Sequence, residues 1–349
     1  MVSARDLLIP AVTILATPIA LGHHSSAPFD GDAVVTIEGT VTQFDFRNPH
    51  VYFYVESTDE AGSTVEWEVE SDWTTELSRI GWTADSLQPG DRIEVIAHPA
   101  RNPQRHYINL ISLEKEDGTV LTSWDLRPDE PPPPRVQAAS IAGRWLPDYA
   151  FLHFFELMNQ LANEKSRAAK QAFVETESPG AQCVPHPLPQ RLGHPHVNDI
   201  EVLDDRIIIT SETESEQRII YLDGRGHPEN AEPTSRGHSI GHWEGDILVV
   251  ETTQFAPLRM AHELSIPSGP QKWLTERYRL SEDRTQIIIH YTLEDPDYLI
   301  APLTDTFEWQ YAPHMDLIPY SCDPEVAERY LIGENQLSPP PGPRSPLRN

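Results

Sequence analysis

QRIIYLDGRGHPENAEPTSRGHSIGHWEGDILVVETTQF, residues 217–255, carries most of what the chain says about its architecture. Apolar residues alternate through Arg218–Leu222 and stop at the Asp223-Gly224 pair, a turn signal. A polar loop follows. A second apolar stretch runs through Trp243 to a Glu-Gly-Asp turn, and a third runs from Ile247 to Thr253. Three short extended segments broken by glycine turns predict a β-meander. The same stretch holds Asp223, Arg225, His227, His238, His242, Asp246 and Glu251. Titratable groups held at strand ends around a loop are the raw material of a binding or catalytic site.

Outward from this stretch the pattern is nearly pure β. Extended runs occupy Asp199–Leu203, Ile207–Glu212, Leu274–Leu280, Gln286–Leu293 and Thr304–Tyr311, separated by tight turns such as Asp204-Asp205 and Asp295-Pro296. One helix is expected ahead of them. Phe151, Phe154, Phe155, Met158, Leu161 and Ala162 recur at helical spacing, with a polar face at 165–170, and Pro179-Gly180 ends the run. Gly143-x-Trp145 opens this half in the manner of lipocalin-like barrels.

Before it, Arg127–Arg135 reads RPDEPPPPR. Consecutive prolines cannot join a sheet or helix interior, so this is a spacer across which few contacts are expected. Upstream, Val34–Phe46, His50–Ser57, Thr64–Ser71, Arg92–His98 and Tyr107–Glu114 read as strands, and Thr74–Ile80 reads as a short helix after the third. Three strands, a helix and two strands is the order of an OB-fold barrel. The predicted protein is mainly β. Residues 1–22 form an export signal, 23–126 an OB-like domain and 127–140 a Pro-rich linker. Residues 141–337 form a lipocalin-like antiparallel β-barrel with one leading helix, and 338–349 a disordered tail.

The export signal rests on the apolar run Leu7–Leu21 and the small residues Ala20 and Gly22 around a cleavage point. The run is short and broken by prolines for a membrane span, so no stable span is expected after cleavage. A periplasmic or secreted location follows, and in that setting Cys183 and Cys322 are expected to pair. Closing a loop of about 140 residues would contribute roughly 3 to 5 kcal/mol in the chain-entropy view. The formal charge of −28 argues against nucleic acid and anionic membrane surfaces as partners.

Two sets of motifs resemble those of exported bacterial proteins of unknown function. The first is His23-His24-Ser25, Phe29-Asp30 and Asn48-Pro49-His50. The second is Asp223–Pro228 and Gly237–Asp246, with Glu276-Arg277-Tyr278 and Asp295-Pro296 downstream. The resemblance implies export and carries no mechanism.

Three residue groups have chemistry to offer. If residues 1–22 are removed, His23 begins the mature chain. A terminal amine with its own imidazole chelates copper, and His24 and His50 extend the set toward copper or zinc. The bland alternative is a polar N-terminal strand, with His50 capping a turn. His186, His194 and His196 share a Pro-rich loop that would hold the same metals or lie at the surface. The third group is the 223–251 cluster with Arg277, Tyr278 and Asp295. Its acid–base candidates are His238, His242, Asp223 and Glu251. Its ligand-binding candidates are Arg225, His227, Trp243, Arg277, Tyr278 and Asp295. Arg225, His238 and His242 are expected to line the mouth of the second domain's cavity. A purely structural role, with Asp223 capping its turn and Trp243 plugging the barrel floor, is the competing account. Glycine-rich phosphate loops, dinucleotide fingerprints and nucleophile elbows do not occur, so no organic cofactor is expected. The function expected is binding of a small, partly apolar ligand. The alternatives are a cofactor-independent lyase, isomerase or hydrolase using the His/Arg/Asp cluster, and metal binding through the N-terminal histidines.

Overall fold

A computed structural model describes residues 28–59, 61–126, 135–148, 151–173, 182–213, 217–258 and 266–327. Residues 1–22, on which the expected export signal falls, His23, His24, most of the Pro-rich linker and the tail at 338–349 lie outside the described residues. The architecture is mainly β, with two closed barrels.

The first barrel is built from β1 (Val35–Asp45), β2 (Tyr52–Thr58), β3 (Thr64–Glu70), β4 (Arg92–Pro99) and β5 (Tyr107–Lys115). β1 pairs with both β2 and β4, β2 with β3, and β4 with β5. A parallel pairing of β3 with β5 closes the ring. A bulge between Val41 and Gln43 shifts the β1–β2 register and adds to the bend of β1. Gly39 lets the curved strand approach β2, since a Cβ there would sit 2.4 Å from the Glu56 carbonyl oxygen. Val41, Phe53, Val55, Val69, Val95 and Ile108 fill the interior. The short helix α1 (Thr74–Arg79) lies between β3 and β4 in sequence and buries Leu77 in the same core. A short strand, β6 (Val120–Thr122), extends the edge of β5.

The second barrel comprises β7 (Gly143–Pro147), β8 (Asn198–Val202), β9 (Arg206–Ser211), β10 (Gln217–Tyr221), β11 (His238–Glu244), β12 (Ile247–Thr253), β13 (Trp273–Leu280), β14 (Gln286–Glu294) and β15 (Leu303–Tyr311). The ring runs in sequence order from β10 to β15, then through β7, β8 and β9 back to β10. Trp145, Tyr278, Tyr291, Phe307 and Trp309 join the aliphatic residues in one buried cluster inside it.

Two expectations need correction here. The 217–253 stretch is not a simple meander. β10 and β11 are parallel, with Ile220 opposite Ser239 and Tyr221 opposite Ile240. Residues 222–237 are long enough to run back along the barrel before β11 begins, and the Asp223-Gly224 pair starts that return instead of closing a hairpin. The barrel is therefore not wholly antiparallel. The leading helix is also two helices, α2 (Phe151–Leu161) and α3 (Glu164–Gln171). Ala162 leaves the helix to bridge Leu299, and the Asn163 side chain accepts from Ser166 N at 3.0 Å, capping a new start. Phe154, Phe155 and Met158 of α2 are buried in the barrel cluster, with Phe154 6.5 Å from the rings of Tyr291 and Phe307.

Cys183 and Cys322 are disulfide-bonded. The bond anchors a segment that leaves the second barrel for the first. Asn48 forms a β-bridge with Cys322, and Asp323 N donates to Asn48 O at 3.0 Å. Beyond them α4 (Pro324–Ala327) buries Val326 against Phe29, Tyr52 and Tyr107 of the first barrel. Contacts between the halves are thus more extensive than the spacer-like linker suggests.

Candidate functional site

Strand alternation decides where the titratable cluster goes. Ile220, Ser239 and Leu274 are buried inside the second barrel, so Tyr221, His238 and Trp273 face outward. The strap at 222–237 lies over these outward side chains. Arg225 forms an ion pair with Asp223, its Nη2 2.5 Å from Oδ2, and its guanidinium stands 3.9 Å over the Tyr221 ring. The Arg225 hydrogen bond takes the exposed Asp223 carboxyl down to about 2. Tyr221 stacks on His238 at 5.3 Å. Nδ1 of His227 faces Nδ1 of His238 at 3.0 Å, and Trp273 meets the His227 ring edge-on. Burial lowers both imidazole pKa values. Glu251 opposes the shift at His227, whereas His227 and Arg225 reinforce it at His238.

His242 does not join this group. It points outward four residues further along β11, with Nε2 3.4 Å from Glu244, which also pairs with Arg277 at 2.5 Å. Trp243 is 42% exposed and does not plug the barrel. The expected convergence of Arg225, His238 and His242 on a cavity mouth is replaced by an outer-face arrangement. The physical reason is the parallel β10–β11 pair, which sends the strap across the outside.

Tyr278 goes the other way, into the barrel. There it meets Arg218 and Glu276, two charged residues at inward positions that the sequence does not mark as site candidates. Arg218 donates to both Glu276 oxygens, to Thr252 Oγ1 at 2.9 Å and to Ser239 Oγ at 3.2 Å. Tyr278 OH donates to Glu276 Oε1 at 2.7 Å. Burial opposes the Arg218 charge, but Glu276 more than compensates and raises its pKa. A buried pair whose hydrogen bonds are satisfied is a structural element that tolerates loss of neither partner. The signal was present in the alternation: Arg218 is in phase with Ile220, and Glu276 with Leu274 and Tyr278.

Asp295 is buried at the barrel end, where Oδ2 accepts from Gly269 N at 3.0 Å. Nearby Lys272 is 2% exposed, and burial, partly offset by Asp295, lowers its pKa to about 7. Its Nζ donates to Leu188 O at 2.6 Å and stands 4.4 Å from the Phe255 ring centre.

The junction of the barrels gathers a second set of titratable groups. His50 pairs through Nδ1 with Glu70, whose other oxygen accepts from Tyr107 OH. Burial disfavours the His50 charge, but Glu70 outweighs it and raises the pKa. Burial and Asp72 together raise the Glu76 carboxyl to about 7. Such a carboxyl can both give and take a proton near neutrality. Across the junction, Arg79 Nη2 lies 2.6 Å from both oxygens of the buried Glu212, which also accepts from Val197 N and Ile318 N. Burial opposes the Glu212 charge, but His196, Arg79 and the Ile318 N–H hold its pKa below the usual value. His196 stacks on Trp73 of the first barrel at 4.5 Å. His186, His194 and His196 do sit together, with ring centres 4.7 and 6.4 Å apart along the series. Among the described residues, no three His, Cys, Asp or Glu side chains are grouped to hold one metal ion.

A cleft of about 450 Å³ opens beside the helix pair, with no strap residue in its lining. Ala162 and Ile266 give it an apolar base, and Asn159, Ser166 and Gln171 add neutral polar groups. Arg167 and Lys170 supply positive charge, with Lys170 Nζ 2.9 Å from Asn159 Oδ1. Arg167 also donates to Ala162 O, which ties one side of the cleft to the break between the helices.

Residues 11–109 match a family of unknown function (DUF6152). The match includes the first four strands, α1 and the His50–Glu70 pair, and it names no activity. No curated protein matches the chain.

Proposed function

We propose that this is an extracytoplasmic binding protein for a small, partly apolar ligand that carries an anionic group. The cleft at α2 and α3 carries the proposal. Its volume is within the range of about 300 to 1,000 Å³ typical of small-molecule sites. Its lining joins apolar Ala162 and Ile266 to cationic Arg167 and Lys170. In a chain of charge −28, an anion has few places to dock, and this cleft offers one. The Cys183–Cys322 disulfide supports an oxidising compartment outside the cytoplasm.

The architecture fits this reading. Strand order β1-β2-β3-β5-β4 with a helix between β3 and β4 supports an OB-like first domain. A closed barrel of mainly antiparallel strands, with a helix packed on its core, supports a lipocalin-like second domain. The ligand is proposed to bind outside the packed barrel interior, against the helices.

Medium-chain and aromatic carboxylates titrated into the full chain test the proposal by calorimetry. Saturable binding is expected, weakened roughly tenfold or more by Lys170→Glu, which removes an attractive charge and adds a repulsive one. Absence of binding across the panel, or equal affinity in Lys170→Glu, would reject it.

A further inference from the structure

We propose that His227 and His238 form a two-imidazole site for a divalent transition-metal ion of the zinc and copper class, on the outer face of the second barrel. The Nδ1 atoms of the two rings already face each other at 3.0 Å. Two imidazole nitrogens bound to one ion at about 2.0 to 2.1 Å stand about 3 Å apart when the angle at the metal is a little over 90°. The ion would therefore replace the contact between the two nitrogens, sitting to one side of the line that joins them, with both rings turned to aim their lone pairs at it.

The ring planes are held by their surroundings. Tyr221 stacks against His238, and Trp273 packs edge-on against His227. This leaves little rotameric freedom to lose on binding. Burial disfavours the charged form of both rings, which favours the uncharged imidazole that ligates metals. Glu251 lies on the same outer face as His238, since its neighbours Val250 and Thr252 point inward. It also acts electrostatically on His227. It is the nearest candidate for a carboxylate ligand after side-chain rotation, with water completing the shell. Arg225 is the opposing charge, and its pairing with Asp223 blunts it.

The site also has a mechanical meaning. His227 belongs to the strap and His238 to β11, so one ion would pin the strap to the barrel wall. This differs from the N-terminal metal set expected from sequence, and it does not depend on the ligand proposed for the cleft.

The test uses the full chain, stripped with a chelator and titrated with Zn²⁺ and separately with Cu²⁺. Exposed histidines in general can take up these ions, so the variants carry the decision. His227→Ala and His238→Ala should each remove the same equivalent of bound metal or weaken it roughly tenfold or more. His242→Ala should leave it intact. Histidine NMR signals of the unsubstituted protein provide the check that does not depend on variants folding. Zn²⁺ should shift two ring systems that show mutual contacts with Tyr221 and Trp273. Unchanged stoichiometry and affinity in both alanine variants, or Zn²⁺ shifts confined to other histidines, would leave a plain imidazole–imidazole hydrogen bond and overturn the proposal.

Discussion

Glu76 shows how a single half-buried carboxyl couples this fold to pH. Its pKa rises from an ordinary 4.5 to about 7 because burial and Asp72 both disfavour the charge. The unfolded chain releases this proton near 4.5, whereas the folded chain keeps it until about 7. The contribution of the group to stability is therefore fully present below pH 4.5. It declines as pH rises and becomes a constant penalty above 7. Glu76→Gln removes the titration while keeping the shape. At pH 8 the variant should be more stable than the parent by on the order of 2 kcal/mol, and near pH 4 the advantage should vanish. Denaturant melts at the two pH values check this, and an advantage independent of pH would refute it. His50 and Glu76 illustrate what sequence could and could not supply. His50 stood out because of the Asn-Pro-His motif. Glu76 looked like an ordinary first-turn acid of a short helix, and its burial depends on the fold around it.

Among the elements, strand positions were legible because alternation is a local property. Strand direction was not. A glycine turn marks where a chain bends, and the bend after Tyr221 is followed by a run long enough to return along the barrel. Gly237 ends that run. It adopts φ +67°, and a Cβ there would lie 2.4 Å from the Thr253 carbonyl oxygen. Both backbone strain and a clash thus fall on any side chain at this point. Gly237→Ala should cost about 2 to 4 kcal/mol and loosen the strap from its neighbours. The expected sign is faster hydrogen exchange at residues 234–240 with the core strands little changed. Unaltered stability and exchange would show that the strap is not seated this way. The helix break is a second local device hidden in plain text. Asn163 followed by Glu164 and Ser166 is a cap and first turn inside a longer periodic run, and the run masked it.

For the whole molecule, the disulfide was readable from an even cysteine count taken with the expectation of export. The junction was not, since it requires knowing which ends of two barrels meet. A Pro-rich spacer predicts halves that separate, whereas Arg79–Glu212, Trp73–His196 and the Asn48–Cys322 bridge predict halves that melt together. Calorimetry of the intact protein should give one transition. Arg79→Ala strands the Glu212 carboxylate in a buried site, at a cost of about 3 to 5 kcal/mol. In that variant the transition should broaden or divide in two. Two separated transitions in the parent would contradict the shared junction.

The segment around Val326 has a consequence in time as well as space. Its side chain completes a cluster with Phe29, Tyr52 and Tyr107, which are made about 220 to 300 residues of synthesis earlier. The barrel that emerges first is thus the one whose last piece arrives at the end. A chain cut short just after β15 would keep every strand of both sheets, yet its earliest part would be left with an open apolar seat. Quality control that senses exposed apolar surface would then be reading, on the first barrel, whether the segment that follows the second had been made.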